Sequence, residues 1–131
     1  MKLLLDTHII MWSLGEPQRL GPRVRRILEK PATELWLSPI SAWEILLLSR
    51  SGRIHIVPAF DEWMSRAVET LSLQEAPLTV EVVLAAADIT LPHADPADRL
   101  LAATARYYDL KLVTADERLL EGSGFPSLPN R

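Results

Sequence analysis

Four acidic residues stand where a folded chain could bring them together: Asp6 directly after Leu3-Leu4-Leu5, Glu44, Asp98 and Asp116. Carboxylates that share a site repel, so one must hold a proton unless a cation neutralises them. A hard divalent ion resolves that conflict. With no cysteine in the chain and no close histidine pair, oxygen donors favour magnesium or manganese over zinc. An ion held this way orients a phosphodiester and activates water, so the implied reaction class is metal-assisted phosphodiester hydrolysis.

Each acid also has an ordinary reading. Asp95-Pro96-Ala97-Asp98 is what a helix start needs: an acid at the cap, proline at the first position and an acid near the positive end of the dipole. Ser41-Ala42-Trp43-Glu44 and Thr114-Ala115-Asp116-Glu117 both match the capping-box spacing. Asp6 is harder to reduce to capping, because an acid after three leucines sits where a buried strand emerges.

The elements that must position these acids follow from the patterning. Leu3 to Leu5 reads as a strand buried on both faces, as in a parallel sheet. A helix is expected from about Thr7 to Leu14, ended by Gly15. A second opens at Gly21-Pro22 with Val24, Ile27 and Leu28 inward. Glu34 to Leu37 reads as a strand, and Ser38-Pro39 starts a helix running to Gly52. Phe60 to Leu71 is the clearest amphipathic helix. Leu73 to Leu78 is a weak strand interrupted by Pro77, and Thr79 caps a helix from Val80 to Ile89. Asp95-Pro96 opens a helix to about Tyr108, and Lys111 to Thr114 is a strand that Asp116 follows. Short strands alternating with helices predict an α/β domain with a mostly parallel sheet. Ligands of such sheets sit beyond the carboxyl ends of the strands, where strand order reverses. Asp6 and Asp116 both occupy strand ends.

The chain has 131 residues, 48% of them hydrophobic and 24% charged, which fits one domain over residues 1–131. No apolar run is long enough to span a membrane. Met1 to Leu5 begins like a signal peptide, but Asp6 and His8 interrupt the apolar stretch. The lack of cysteine agrees with a reducing, cytoplasmic setting. The net charge of −3 does not advertise nucleic-acid binding, so any such contact must be local. Arg19, Arg23, Arg25 and Arg26 form a local basic cluster, read first as a solvated helix face.

The motifs Leu3-Leu4-Leu5-Asp6-Thr7-His8, Ser41-Ala42-Trp43-Glu44, Asp95-Pro96-Ala97-Asp98-Arg99-Leu100-Leu101 and Val113-Thr114-Ala115-Asp116 resemble, in order and spacing, those of PIN-domain nucleases. The size resembles that of VapC-type toxins of toxin–antitoxin pairs. The resemblance implies that Asp6, Glu44, Asp98 and Asp116 are metal-binding acids, with Thr7 and Thr114 as supporting hydroxyls. It further implies a magnesium- or manganese-dependent endoribonuclease, a five-stranded parallel sheet flanked by helices, homodimerisation, and inhibition by a cognate antitoxin.

Around these, Asp95 is read chiefly as the helix cap, with metal binding as its alternative, and Arg99 as a candidate phosphate contact. His8 is expected to be packed or hydrogen-bonded near the cleft, whereas His55 and His93 show no proximity to the acids. Trp12, Trp43 and Trp63 are expected to pack in the core or a subunit interface rather than stack on bases. Two other functions compete. A phosphotransfer or receiver domain would use Asp6 as nucleophile, but His8 stands where a second acid would be wanted and no lysine ends the Val113 strand. A non-catalytic binding module would use the acids only as caps.

Overall fold

A computed structural model describes residues 1–57 and 59–131. The chain runs β1 (Lys2–Leu5), α1 (Thr7–Gly15), a 3₁₀ turn (Pro17–Arg19), α2 (Pro22–Leu28), β2 (Glu34–Leu37), α3 (Pro39–Arg50), α4 (Phe60–Leu71), β3 (Gln74–Glu75), α5 (Val80–Ala85) with a 3₁₀ turn (Ala86–Asp88), α6 (Pro96–Tyr108), β4 (Lys111–Thr114), α7 (Glu117–Leu120) and β5 (Ser127–Pro129). The five strands lie in the order β3-β2-β1-β4-β5, and every neighbouring pair is parallel. This is the expected α/β, mostly parallel five-stranded sheet flanked by helices.

The three leucines of β1 explain why this strand is central. Leu4 pairs with Trp36 of β2 on one side and Leu112 of β4 on the other. Leu3 and Leu5 pack with Ile9, Ile10, Val24, Ile45 and Val113 on one face of the sheet. Leu4 packs with Leu101, Ala105, Leu110 and Leu112 on the opposite face. Successive strand side chains point to opposite faces, so only a strand covered on both sides can be apolar at every position. Burying each such leucine contributes roughly 1.5–3 kcal/mol.

From β1 the chain builds outward through β2 and β3, then crosses to β4 and β5 on the other side of β1. Strand order therefore reverses between β1 and β4, and the crevice of the switch point opens above their carboxyl ends.

The structure corrects several element boundaries. Gly15 is the last residue of α1, and the helix is closed by Glu16 at φ −141°. The strand expected over residues 73–78 is reduced to Gln74 and Glu75, since an edge strand running into Pro77 loses a ladder donor. The helix expected to reach Ile89 ends at Ala85 and tightens into the 3₁₀ turn. Two elements were unforeseen, α7 and β5. β5 is three residues long and pairs only with β4, too short and proline-flanked to leave an alternating pattern.

The segment after β5 is latched to the start of α2. Asn130 Oδ1 accepts the Gly21 N–H at 2.8 Å, Asn130 Nδ2 donates to the Arg19 carbonyl at 3.0 Å, and the Val24 N–H donates to the Arg131 carbonyl at 2.9 Å. Gly21 is required there, because a Cβ would overlap the Arg131 backbone. Among the described residues no helix is long and apolar enough to cross a membrane.

Candidate active site

Asp6 is still part of the sheet, for its N–H donates to the Val113 carbonyl at 3.0 Å. It is also the N-cap of α1, so its side chain emerges at the switch point. The residue is 9% exposed. Oδ1 accepts the Thr7 N–H at 2.7 Å, and Oδ2 accepts the Thr114 hydroxyl at 2.7 Å. Two threonines then tie the neighbouring acids to this one. The Thr7 hydroxyl donates to Glu44 Oε1 at 2.8 Å, and Thr114 Oγ1 accepts the Asp116 N–H at 3.0 Å.

Helix α6 brings the remaining acids. Its N-cap is Asp95, whose Oδ1 accepts the N–H groups of Ala97 at 2.9 Å and Asp98 at 3.5 Å. Asp98 is buried one turn in. Its Oδ2 lies 2.7 Å from His93 Nε2. A cleft of about 480 Å³ is lined by Asp6, Glu44, Asp95, Asp98 and Asp116, with Arg19 and Arg118 on its walls. All four predicted acids and Asp95 therefore meet in one place.

Their surroundings set their protonation differently. Burial lifts Asp6 above the usual carboxylate range, against the pull of the Thr114 and Thr7 hydrogen bonds, and the charge of Asp98 adds to the rise. Burial also lifts Glu44, opposed by Thr7 and helped by Asp6, Asp98 and Asp95. Asp98 rises for the same reason, with the His93 hydrogen bond opposing and Asp95 and Asp116 adding repulsion. For Asp116 burial pushes upward too, but hydrogen bonds from the Arg118 side chain and N–H outweigh it, and the carboxyl sits below its ordinary value.

The capping boxes are corrected. The N-cap of α3 is Ser38, whose Oγ accepts the Ile40 N–H at 3.1 Å; Ser41 lies inside the helix, its buried hydroxyl without a hydrogen-bond partner. Asp116, not Thr114, caps α7 by accepting the Arg118 N–H at 2.9 Å. Both Glu44 and Thr114 are thus released from capping to serve the cleft.

Arg99 does not line the cleft. Its Nη1 donates to the Ile89 carbonyl at 2.6 Å, which secures the loop before α6. His8 lies at the cleft wall as expected, though exposed, with its ring 5.7 Å from that of Trp12. The expectation for His93 fails: folding brings it against Asp98. The loop of residues 90–95 turns back over the first turn of α6 and carries the ring onto Asp98, a contact that no local sequence pattern signals. Arg23, Arg25 and Arg26 form the solvated face expected of them, while Arg19 leaves the group and stands in the cleft. Of the tryptophans, Trp63 packs against the core, Trp43 is 53% exposed, and Trp12 rests partly on the core while facing the cleft.

A parallel sheet with carboxylates gathered at its switch point defines an α/β domain with an acidic cleft whose oxygen donors could hold a divalent ion. The PIN domain family matches residues 3–123, and the chain belongs to that family. It is 36% identical over 120 residues to Ribonuclease VapC22 of Mycobacterium tuberculosis, covering 89% of this chain and 88% of that protein. Its fold is similar to that in the crystal structure of VapBC2 from Rickettsia felis bound to a promoter DNA fragment, with a TM-score of 0.70, 15% identity and 98% of each chain covered. A toxin–antitoxin complex from Klebsiella pneumoniae shows the same fold, with a TM-score of 0.57, 16% identity and coverage of 91% and 90%.

The carboxyl environments dictate a pH dependence of stability without divalent ions. For Asp6, Glu44 and Asp98 the folded state binds protons more tightly than the unfolded chain. Their stabilisation is full below the unfolded values near pH 4 and is lost as pH rises through the folded ones. Asp116 acts oppositely, losing stabilisation as pH falls through its lowered value. In chelator, melting temperature is expected to fall from weakly acidic to neutral pH. Asp98→Asn should flatten that fall and melt higher than wild type at pH 7, as measured by thermal denaturation across pH.

Proposed function

We propose that this chain is a single PIN nuclease domain over residues 1–131, an endoribonuclease that hydrolyses RNA phosphodiesters with magnesium or manganese. It acts as the cytoplasmic toxin of a toxin–antitoxin pair and is inhibited by a cognate antitoxin protein. The observation that carries the reading is the convergence of Asp6, Glu44, Asp98 and Asp116 in one cleft, supported by the identity to a protein named as a ribonuclease.

The donor set fits a hard divalent cation. Burial and mutual repulsion penalise the charged forms of Asp6, Glu44 and Asp98, a cost that an ion among them would remove. Asp6, Glu44, Asp98 and Asp116 would hold it. Asp95 spends one oxygen on the helix start and His93 its Nε2 on Asp98, so both are assigned to the surround although their ligand atoms and those of Asp98 lie within 4.8 Å of one another. A bound ion supplies charge neutralisation and Lewis acidity toward water and the phosphoryl oxygens.

The chain's own groups do the positioning. The Thr7 N–H and Thr114 hydroxyl fix both oxygens of Asp6. Thr7 sets Glu44, His93 sets Asp98, and Arg118 hydrogen-bonds Asp116 and lowers its carboxyl below the ordinary value. The phosphotransfer reading is disfavoured because Asp6 is buried and doubly hydrogen-bonded and no lysine lines the cleft.

Homodimerisation draws support from the exposed apolar face of α5, where Val80, Val83 and Leu84 recur at helical spacing. Light scattering is expected to give the mass of two chains, reduced to one by Leu84→Lys.

RNA cleavage is expected with magnesium or manganese and to stop in excess chelator. Asp6→Asn should abolish it with the circular-dichroism spectrum retained; cleavage persisting in chelator would sink the mechanism. His93→Ala is expected to weaken manganese binding by about 10–100-fold in calorimetry. His93→Gln, which keeps an N–H donor toward Asp98, should retain most of the affinity.

A further inference from the structure

A second groove of about 490 Å³ adjoins the acidic cleft and shares His8, Trp12 and Arg19 with it as a common wall. Its far side is formed by Arg53, His55 and Trp63. The groove combines aromatic faces and aliphatic side chains with two arginines and one carboxylate, Glu16. The Arg19 guanidinium lies over the Trp12 ring at 4.6 Å from its centroid, and the His8 ring abuts the same tryptophan.

Charge decides what can lie here. The acidic cleft repels a polyanion, and the chain as a whole carries −3, so a nucleic acid reaching the carboxylates needs cations beside them. Arg19 and Arg118 on the cleft and Arg53 in the groove are such cations. Arg19 pairs with Glu16 at 3.4 Å, but both side chains are more than half exposed, and an exposed pair of this kind is worth little and yields readily to a phosphate. Aromatic rings and arginine planes stack on bases only when the bases are unpaired.

We propose that this groove is the substrate subsite flanking the acidic cleft: it takes single-stranded RNA, with a base extending the Trp12–Arg19 stack and backbone phosphates on Arg19 and Arg53. The proposal rests on the nuclease reading above and names the form of RNA that the site accepts and the residues that hold it.

The test measures binding of a short fluorescent single-stranded oligoribonucleotide, and of its duplex, to the Asp6→Asn protein by anisotropy. Adding Trp12→Leu should weaken single-strand binding about tenfold, and Trp12→Tyr should restore most of it. Adding Arg53→Ala should weaken binding and lower the salt dependence by about one released counterion. In protein with Asp6 intact, the same groove changes should raise KM far more than they lower kcat. Manganese affinity should not change, which separates loss of the groove from loss of the fold. Tight binding of the duplex overturns the proposal. So does an unchanged KM in Trp12→Leu and Arg53→Ala when wild type cuts RNA, which leaves the nuclease reading standing and assigns the groove to a protein segment. A wild-type protein that neither binds nor cuts RNA overturns both.

Discussion

The hydrogen bond from the Thr114 hydroxyl to Asp6 joins residues 108 positions apart and is the interaction on which the site depends. It exists because β1 and β4 are paired, Leu5 opposite Val113, so that Asp6, just past β1, and Thr114, the last residue of β4, share one edge. The hydroxyl faces two ways, accepting from the Asp116 backbone while donating to Asp6. One buried side chain thus sets the distance between an acid from the start of the chain and one from its end. Thr7 does the same work between Asp6 and Glu44.

This arrangement stabilises less than a neutral core would. The apolar leucines of β1 supply the folding energy beneath the site, while the carboxylates above them are desolvated and close to like charges. Burying such groups without compensation is costly, and the chain lessens the cost by giving each acid at least one donor. The donors differ in kind. Asp6 and Glu44 receive neutral ones, Asp98 a histidine, and only Asp116 a guanidinium. The cluster is therefore graded, with the one acid most secure in its charge placed at the exposed end.

Much of this was legible in the sequence, and for identifiable reasons. The uninterrupted leucines announced a strand covered on both faces, and the acids following two strands located the switch point. Asp95-Pro96 specified its helix start. What was not legible depends on contacts distant in sequence or on elements too short to carry a period. β5 and β3 have three and two residues, below the length at which alternation shows. Glu44 was named among the acids, but its tie to Thr7, 37 positions away, was not visible. His93 was overlooked because the loop path over α6 is fixed by packing and by the Arg99 bond to Ile89, not by local pattern. Arg99 itself was misread for the same reason: nothing nearby in sequence shows that the Ile89 carbonyl will take its guanidinium.

The latch made by Asn130 has a mechanical meaning. Through its two amide bonds it grips Gly21 and the carbonyl of Arg19, while the adjoining strand β5 is bonded to β4, the strand that carries Thr114. Force applied at either place is transmitted to the other along a short rigid linkage. The basic wall of the crevice and its acidic floor are in this way yoked, and neither can be displaced without loosening the far edge of the sheet.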